Sequence, residues 1–227
     1  MSNSVNDIFI GEYSWVNPNA LIGEGTKIGR FCVIEEGVKI GKNCIINDYV
    51  TLMYGVEIGD HSIIQSRSML GSDGFGYAMG PEGQKYIPQV GSLKIGAKTT
   101  LSHFSTVDRG ALNDTEIGSS CSLSTKVHIP HNLTIGDHAV ILHRFVAAGS
   151  THIGKNFWAD RHVSVAGHLH IGNDNRLADF SRITRNTSDE AILSGSPPMD
   201  PLLWSSTIKA IQQLSYYAEK INEVLND

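Results

Sequence analysis

Ten histidines supply most of the titratable chemistry this chain has near neutral pH. An imidazole of ordinary pKa, about 6.5, is suited to taking a proton from an attacking nitrogen. His131 stands in Ile129-Pro130-His131-Asn132 and His168 in Ala166-Gly167-His168-Leu169. Asp108 and Arg109 are adjacent opposite charges, while Phe75, Tyr77 and Tyr86 crowd a Gly- and Pro-rich stretch where exposed rings are costly without a purpose. His61, His138, His152, His162 and His170 fall at turn or outward positions and read as solvated. Cys32, Cys44 and Cys121 are odd in number and lack CxxC spacing, so they read as buried, reduced thiols of a cytoplasmic protein.

The elements that must position these residues are legible in a period of six. Apolar side chains recur from Ile10 through Val16, Ile22, Ile28 and onward to Leu70, resume at Ile95, Leu101 and Val107, slip by four, and run from Ile117 to Ile183. Glycine often follows the apolar residue, as at Gly11, Gly23, Gly118 and Gly136, giving [LIV]-G-x-x-x-x. This period fits neither an amphipathic helix nor an alternating strand; it predicts an all-β solenoid, a parallel β-helix of hexapeptide repeats. Each hexad supplies a short strand and a turn, and glycine is expected to let the backbone turn where a Cβ would clash. With three hexads per coil, residues eighteen apart lie above one another. That places Gly149 over His131 and, across the slip, Arg109 one coil below it, bringing a positive charge close to the imidazole.

Two interruptions break the period. Residues 72–92 form an excursion too long for a plain turn, and such loops on rigid scaffolds are commonly functional. The second, around Gly110-Ala111-Leu112-Asn113-Asp114, kinks the path just after Asp108-Arg109. The solenoid is assigned to 1–193 and a helical extension to 194–227. In the extension, Asp200 and Pro201 form an N-cap and first-turn proline, and Trp204, Ile208, Ile211, Leu214, Ala218, Ile221 and Leu225 recur at helical spacing. This tail caps the solenoid and makes trimer contacts, or docks a partner.

A net charge of −5 with mixed signs argues against nucleic acid or an anionic membrane as the main partner. No apolar run reaches the roughly 18 residues of a membrane span, and the Asn/Asp-containing start does not read as a signal peptide.

SDGFGYA at 72–78, IPQVG at 87–91, VDRGALNDTEIG at 107–118, IPHNLTIG at 129–136, AGSTHIGKN at 148–156, VAGHLHIGN at 165–173 and SGSPP at 194–198 lie in order. Together they resemble the UDP-3-O-(3-hydroxyacyl)glucosamine N-acyltransferases of the hexapeptide-repeat superfamily, lipid A enzymes whose donor is acyl carrier protein. The resemblance implies a left-handed β-helix, a homotrimer with sites between neighbouring solenoids, and N-acyl transfer to a nucleotide-linked amino sugar in lipopolysaccharide or surface-glycan synthesis. It implies His131 as general base, the Gly149 N–H as oxyanion donor and His168 as a contact to substrate or donor; Arg109, Asp108, Phe75 and Tyr77 complete the expected binding residues. No metal and no tightly held cofactor are implied. The acyl group arrives on the pantetheine of acyl carrier protein or coenzyme A, for which Lys209, Lys220, Arg161, Arg176, Arg182 and Arg185 are the available cations.

Two departures accompany the resemblance. The family carries an N-terminal uridine-binding domain of about a hundred residues, whereas nine residues precede the first hexad here, so a different acceptor is expected, such as a 4-amino-4,6-dideoxyhexose nucleotide. The family also places an aspartate seven residues before its histidine, in a segment like LDNQIQIAHN; Ser124 occupies that position here, leaving hydrogen bonding by a hydroxyl in place of a carboxylate. Three other readings stand beside this one: an acetyl-CoA-dependent sugar-nucleotide acetyltransferase, a non-catalytic scaffold, and a zinc hydratase built on His103, His143 and His138, the first two stacking two coils apart.

Overall fold

A computed structural model describes residues 7–226; the N-terminal start and Asp227, to which the signal-peptide reading and the outer limits of the two assigned regions refer, lie outside them. The described chain winds as a left-handed parallel β-helix carrying three parallel sheets of ten, nine and eight strands, with a two-stranded hairpin outside them. Most strands are two residues long. Each pairs with the strand one coil further on, as in Phe9↔Lys27, Trp15↔Val33 and Leu21↔Lys39.

The second residue of the two-residue strands points inward: Ile28, Ile46 and Ile64 stack on the ten-stranded sheet and Ile34 and Leu52 on the nine-stranded one, all fully buried in one continuous core. A second inward position lies two residues earlier and is filled by small or adaptable side chains, among them Thr26, Cys32, Val38, Cys44, Ser62, Thr99 and Cys121. Its hydroxyls stay satisfied in the apolar interior by donating to turn carbonyls, Thr26 Oγ1 to Gly41 O at 2.7 Å and Ser62 Oγ to Gly96 O at 3.0 Å. The three cysteines sit in this position as free, buried thiols, and burial pushes their pKa values up.

A Cβ does clash at the glycine of the repeat, but against the next coil and not within a left-handed turn of its own. At Gly23 a Cβ would lie 2.5 Å from the backbone of Gly41, and at Gly118 2.6 Å from Asp137 N, so glycine is required by the approach of successive coils. The left-handed conformation falls two residues later, on side-chain-bearing residues such as Phe31, Asn43 and His61, whose φ values are 57°, 53° and 59°. Such residues are strained on their own. Here most corners are stabilised by a backbone bond to the preceding coil, Asn43 N to Glu24 O at 2.9 Å and His61 N to Lys42 O at 2.8 Å, while Asn132 N donates instead to Thr115 Oγ1 at 2.9 Å. Aspartates finish the corners: Asp48 accepts from Arg30 N at 2.8 Å and Asp179 from Arg161 N at 2.8 Å, and each also pairs with that arginine's guanidinium.

Both interruptions appear where the period breaks. The chain leaves the nine-stranded sheet after the strand Met69–Ser72 and forms an antiparallel hairpin of Tyr77–Gly80 and Gly83–Tyr86 before re-entering the solenoid in the eight-stranded sheet at Leu93–Ile95. The insertion after Arg109 lengthens one coil, so pairing there is Ile95↔Ile117 and Val107↔Ile129, then returns to the ordinary spacing at Leu123↔Ile141. At the far end the strand Ile192–Leu193 closes the ten-stranded sheet. Helix α1 (Pro201–Gln212) follows, with Asp200 Oδ1 accepting from Leu202 N at 2.8 Å and Leu203 N at 3.2 Å, and helix α2 (Leu214–Asn226) completes the tail. Trp204 of α1 covers Gly195, where any side chain would collide with the indole.

Gly118→Ala is expected to cost about 2 kcal/mol by backbone crowding, while Gly80→Ala, whose Cβ would meet nothing nearer than 3.6 Å, stays within about 0.5 kcal/mol of the parent in chemical denaturation. A pH series of melting curves tests the corner carboxylates. Asp48 and Asp179 have folded pKa values below the ordinary 3.8, chiefly through bonds from Arg30 and Arg161. Their stabilising contribution is present above that pH and is lost as pH falls through the lower folded values, so the melting temperature should drop in that acid window.

Candidate active site

The candidate base sits where the chain leaves the strand His128–Ile129 and turns a corner at Asn132 (φ 58°). The coil above lays Gly149 against the imidazole: a Cβ there would fall 2.5 Å from both Cδ2 and Nε2 of His131. The glycine therefore leaves the Nε2 edge of the ring in direct contact with backbone. Among the described residues the Gly149 N–H donates to no protein acceptor, while its neighbours are engaged, Ala148 N with Val165 O at 2.9 Å and Ser150 N with His131 O at 3.1 Å. A free N–H beside an imidazole edge can stabilise a developing oxyanion next to a proton acceptor. His168 is one residue further round the corner and one coil higher, exposed, with its N–H on Gly149 O at 3.1 Å.

The other face of the imidazole meets the excursion. His131 Nδ1 lies 3.1 Å from Gln89 Oε1, and Gln89 Nε2 donates to Ile87 O at 2.8 Å. Gln89 is 6% exposed. Ser124, the residue in the position of the family's aspartate, is at a different corner, lining a cavity of about 340 Å³ with Thr125, Lys126, His143 and Arg144. The expectation that a Ser124 hydroxyl would serve the ring is replaced by a neutral amide from the loop.

A carboxyl is nevertheless close. Asp108 is 8% exposed, accepts from Ser72 Oγ at 2.9 Å and has Oδ2 3.8 Å from His128 Nε2, while His128 Nδ1 shares a 2.8 Å hydrogen bond with Thr106 Oγ1. Burial pushes the Asp108 pKa up; the Ser72 hydrogen bond and the positive potential of His128 and His131 act against that rise, and Asp73 adds to it.

Arg109 occupies the predicted stacking register beneath His131, but its guanidinium goes elsewhere. Nε donates to Gly91 O at 3.0 Å, one terminal nitrogen donates to Tyr54 O at 2.6 Å, and the group lies over the Tyr54 ring. Coil arithmetic locates a Cα and not the end of a six-atom side chain, so the anticipated cation serves to hold the excursion's return strand. Phe75, at 84% exposure, and Tyr77 stack at a tilt with centroids 5.0 Å apart on the hairpin's outer side, and Tyr86 donates its hydroxyl to Asp73. Of the donor-side cations, Arg161 is already paired with Asp179.

The two interruptions are one structure. Val90 N and Gly91 N donate to Ala111 O and Gly110 O at 2.8 and 2.9 Å, and Ser92 N to Asp114 Oδ1 at 2.8 Å. Asn132 locks the assembly to the corner beside the imidazole, accepting from Ala111 N and donating to Asn113 O, each at 2.9 Å. A salt bridge between Lys94 and Asp114 lowers the carboxyl's pKa and raises the ammonium's. Sequence reasoning missed Gln89, Asn132, His128 and Ser72; all but His128 lay inside quoted motifs, but nothing in a single chain joins a loop amide to an imidazole forty-two positions away. His103 and His143 are separated by the Thr125 coil and His138 is at another corner; among the described residues no three His, Cys, Asp or Glu side chains converge as a metal-binding group.

Comparison with known proteins adds a second line. Residues 7–42 and 37–72 match the model of the bacterial transferase hexapeptide (six repeats). The UDP-3-O-acylglucosamine N-acyltransferase of Bordetella pertussis is 33% identical over 177 residues, 76% of this chain and 49% of that protein. The enzyme of the same name from Hahella chejuensis is 32% identical over 76% of this chain and 50% of its own length. The chain thus spans about half the length of the curated relatives it matches. Among solved structures, UDP-N-acetylglucosamine O-acyltransferase from Moraxella catarrhalis RH4 superposes with a TM-score of 0.69 at 22% identity, covering 82% of this chain and 71% of that one. The Francisella novicida UDP-N-acetylglucosamine acyltransferase reaches 0.73 at 22% identity over 82% and 68%. At these identities the two structures speak for the solenoid alone.

Asn132→Ala removes both bonds to the insertion and is expected to cost about 1–3 kcal/mol, with faster proteolytic cleavage at 110–114 as the local readout.

Proposed function

We propose, from the premise that this chain belongs to the hexapeptide-repeat transferases, that it is an N-acyltransferase moving an acyl group from a pantetheine thioester to the amine of a nucleotide-linked amino sugar. The observation that carries the reading is the juxtaposition of the His131 Nε2 edge with the unengaged Gly149 N–H. Acyl transfer to an amine needs those two functions within one atom's reach of each other: a lone pair to take the ammonium proton of the attacking nitrogen and a donor for the tetrahedral oxyanion. The amine nitrogen attacks the thioester carbonyl, its proton passes to Nε2, and collapse of the intermediate expels the pantetheine thiolate, which recovers the proton as thiol.

The curated relatives are named for UDP-3-O-acylglucosamine, and their likeness supports a nucleotide-sugar acceptor and a place in lipid A or surface-glycan synthesis. A 3-hydroxyacyl group carried by acyl carrier protein or coenzyme A is the donor in this reading, and the cytoplasm, where both carriers occur, is the compartment. The chain works as a homotrimer. Leu202, Leu203, Ile211, Leu214 and Ile221 leave an apolar surface on the tail helices that supports a subunit or carrier contact. Phe75 and Tyr77 are offered to the substrate by the hairpin, with His168 contacting donor or acceptor from above.

Acyl transfer read by mass spectrometry tests this, pairing acetyl-CoA, 3-hydroxybutyryl-CoA and 3-hydroxymyristoyl carrier protein with several nucleotide amino sugars. N-acylated product is expected from at least one pair, and His131→Ala is expected to lower kcat by about 10²–10⁴-fold with a smaller change in KM. No product from any pair, or full activity in His131→Ala, would overturn the reading.

A further inference from the structure

We infer that Gln89 is the positioning residue that sets the tautomer and aim of the His131 imidazole, and that it thereby ties the candidate base to the seating of the excursion loop. Its catalytic meaning rests on the proposed role of His131; its geometry does not.

The amide of Gln89 is not free to flip. Nε2 donates to Ile87 O at 2.8 Å, so Oε1 is the atom facing His131 Nδ1 at 3.1 Å. Reversing the amide would set oxygen against the Ile87 carbonyl oxygen. An amide oxygen only accepts, so Nδ1 must carry the hydrogen, and Nε2, on the Gly149 side, keeps its lone pair. Gln89 is 6% exposed, and little water competes for either bond.

The glycines of the loop motif make room for this pair. A Cβ on Gly74 would come within 2.6 Å of His131 Cβ and 3.0 Å of Gln89 Oε1, and one on Gly76 within 2.7 Å of Gln89 Nε2. Downstream, Val90 and Gly91 are bonded to the 110–111 carbonyls and Gly91 O takes the Arg109 Nε donor. The orienting contact is therefore made by a loop whose position is set by the second interruption, and Arg109 acts on the base through that loop.

A neutral partner divides what a carboxylate would combine. The amide oxygen orients the ring and selects the tautomer by a dipole, without a full negative charge to favour imidazolium. The charged groups around the pair are Asp108 with its neighbour His128, and Asp73, which holds Tyr86.

The test uses the full chain labelled with ¹⁵N-histidine and long-range ¹H–¹⁵N correlation above the imidazole titration. His131 is expected as the Nδ1–H tautomer in the parent and displaced toward Nε2–H in the near-isosteric Gln89→Met. In acyl-transfer assays Gln89→Met should lose roughly 10-fold or more in kcat with little change in KM, less than removal of His131 itself. Gln89→Glu keeps an acceptor, so it should retain the Nδ1–H tautomer and move the acid limb of the kcat/KM profile to higher pH. An Nε2–H tautomer in the parent, or an unchanged tautomer and kcat in folded Gln89→Met, would overturn the inference. If Gln89→Met does not fold, the parent tautomer and the Gln89→Glu pH profile decide it. If the parent transfers no acyl group, the proposed function fails while the tautomer measurement still decides the role of Gln89.

Discussion

Backbone stacking from coil to coil is the constraint on which everything else in this molecule depends. Each strand is too short to hold a partner alone, and only the repetition of parallel pairing along three faces makes a sheet of it. Stacking at this pitch forbids a Cβ at the glycine column that follows the eight-stranded sheet, and it forces single residues at the corners into the left-handed region. It also fixes the columns in which side chains meet. Gly149 lies against His131 for the same reason that Gly41 lies against Gly23: the coils are one strand spacing apart, and the residue above has nowhere else to be.

The candidate site appears where that regularity is broken and then re-established. A solenoid with unbroken corners offers a uniform surface on which an imidazole would be solvated like any other. The excursion places a buried amide beside the ring, and the four-residue insertion supplies carbonyls that hold the excursion down. Asp108 and Arg109, side by side in sequence, point into different tasks: the buried carboxyl toward the half-buried Ser72 and His128, the guanidinium out across the loop to Tyr54 and Gly91. Rigidity at the site is thus borrowed from the coils and delivered through hydrogen bonds to loop backbone.

How much of this was legible in the residues depends on whether the determining contact repeats. The hexad period was enough for the solenoid, the two interruptions and the slip, because each coil restates the same inward pattern. The helical tail was readable from Asp200-Pro201 and its three-and-four spacing, which are local signals. Glycine's role was legible only in part: a clashing Cβ was expected, but close approach between coils and left-handed φ both select glycine, and the fold alone separates them. The stacking of Gly149 on His131 follows from counting; the direction of the Arg109 side chain does not, because counting stops at Cα. Gln89 stayed invisible because the excursion has no period to say where its return strand lies, and a glutamine among prolines and glycines reads as loop filler. The missing aspartate was noticed at Ser124, yet its corner faces a different cavity, so the deficit and its replacement are at separate places on the coil.

The forty-two positions that separate Gln89 from His131 also impose an order in time. A chain emerging vectorially can lay down coil upon coil as it appears, and the hairpin of residues 77–86 can close on itself at once. Gln89, by contrast, has no imidazole to meet until the coil carrying His131 has been synthesised and stacked. During that interval the return strand of the loop, with its glycines and apolar Ile87 and Val90, has only Arg109 and the 110–114 insertion to hold it from downstream. The nascent molecule is therefore a finished scaffold before it is a finished site, and the segment most exposed to misassociation while the chain is still growing is the one that later holds the imidazole in place.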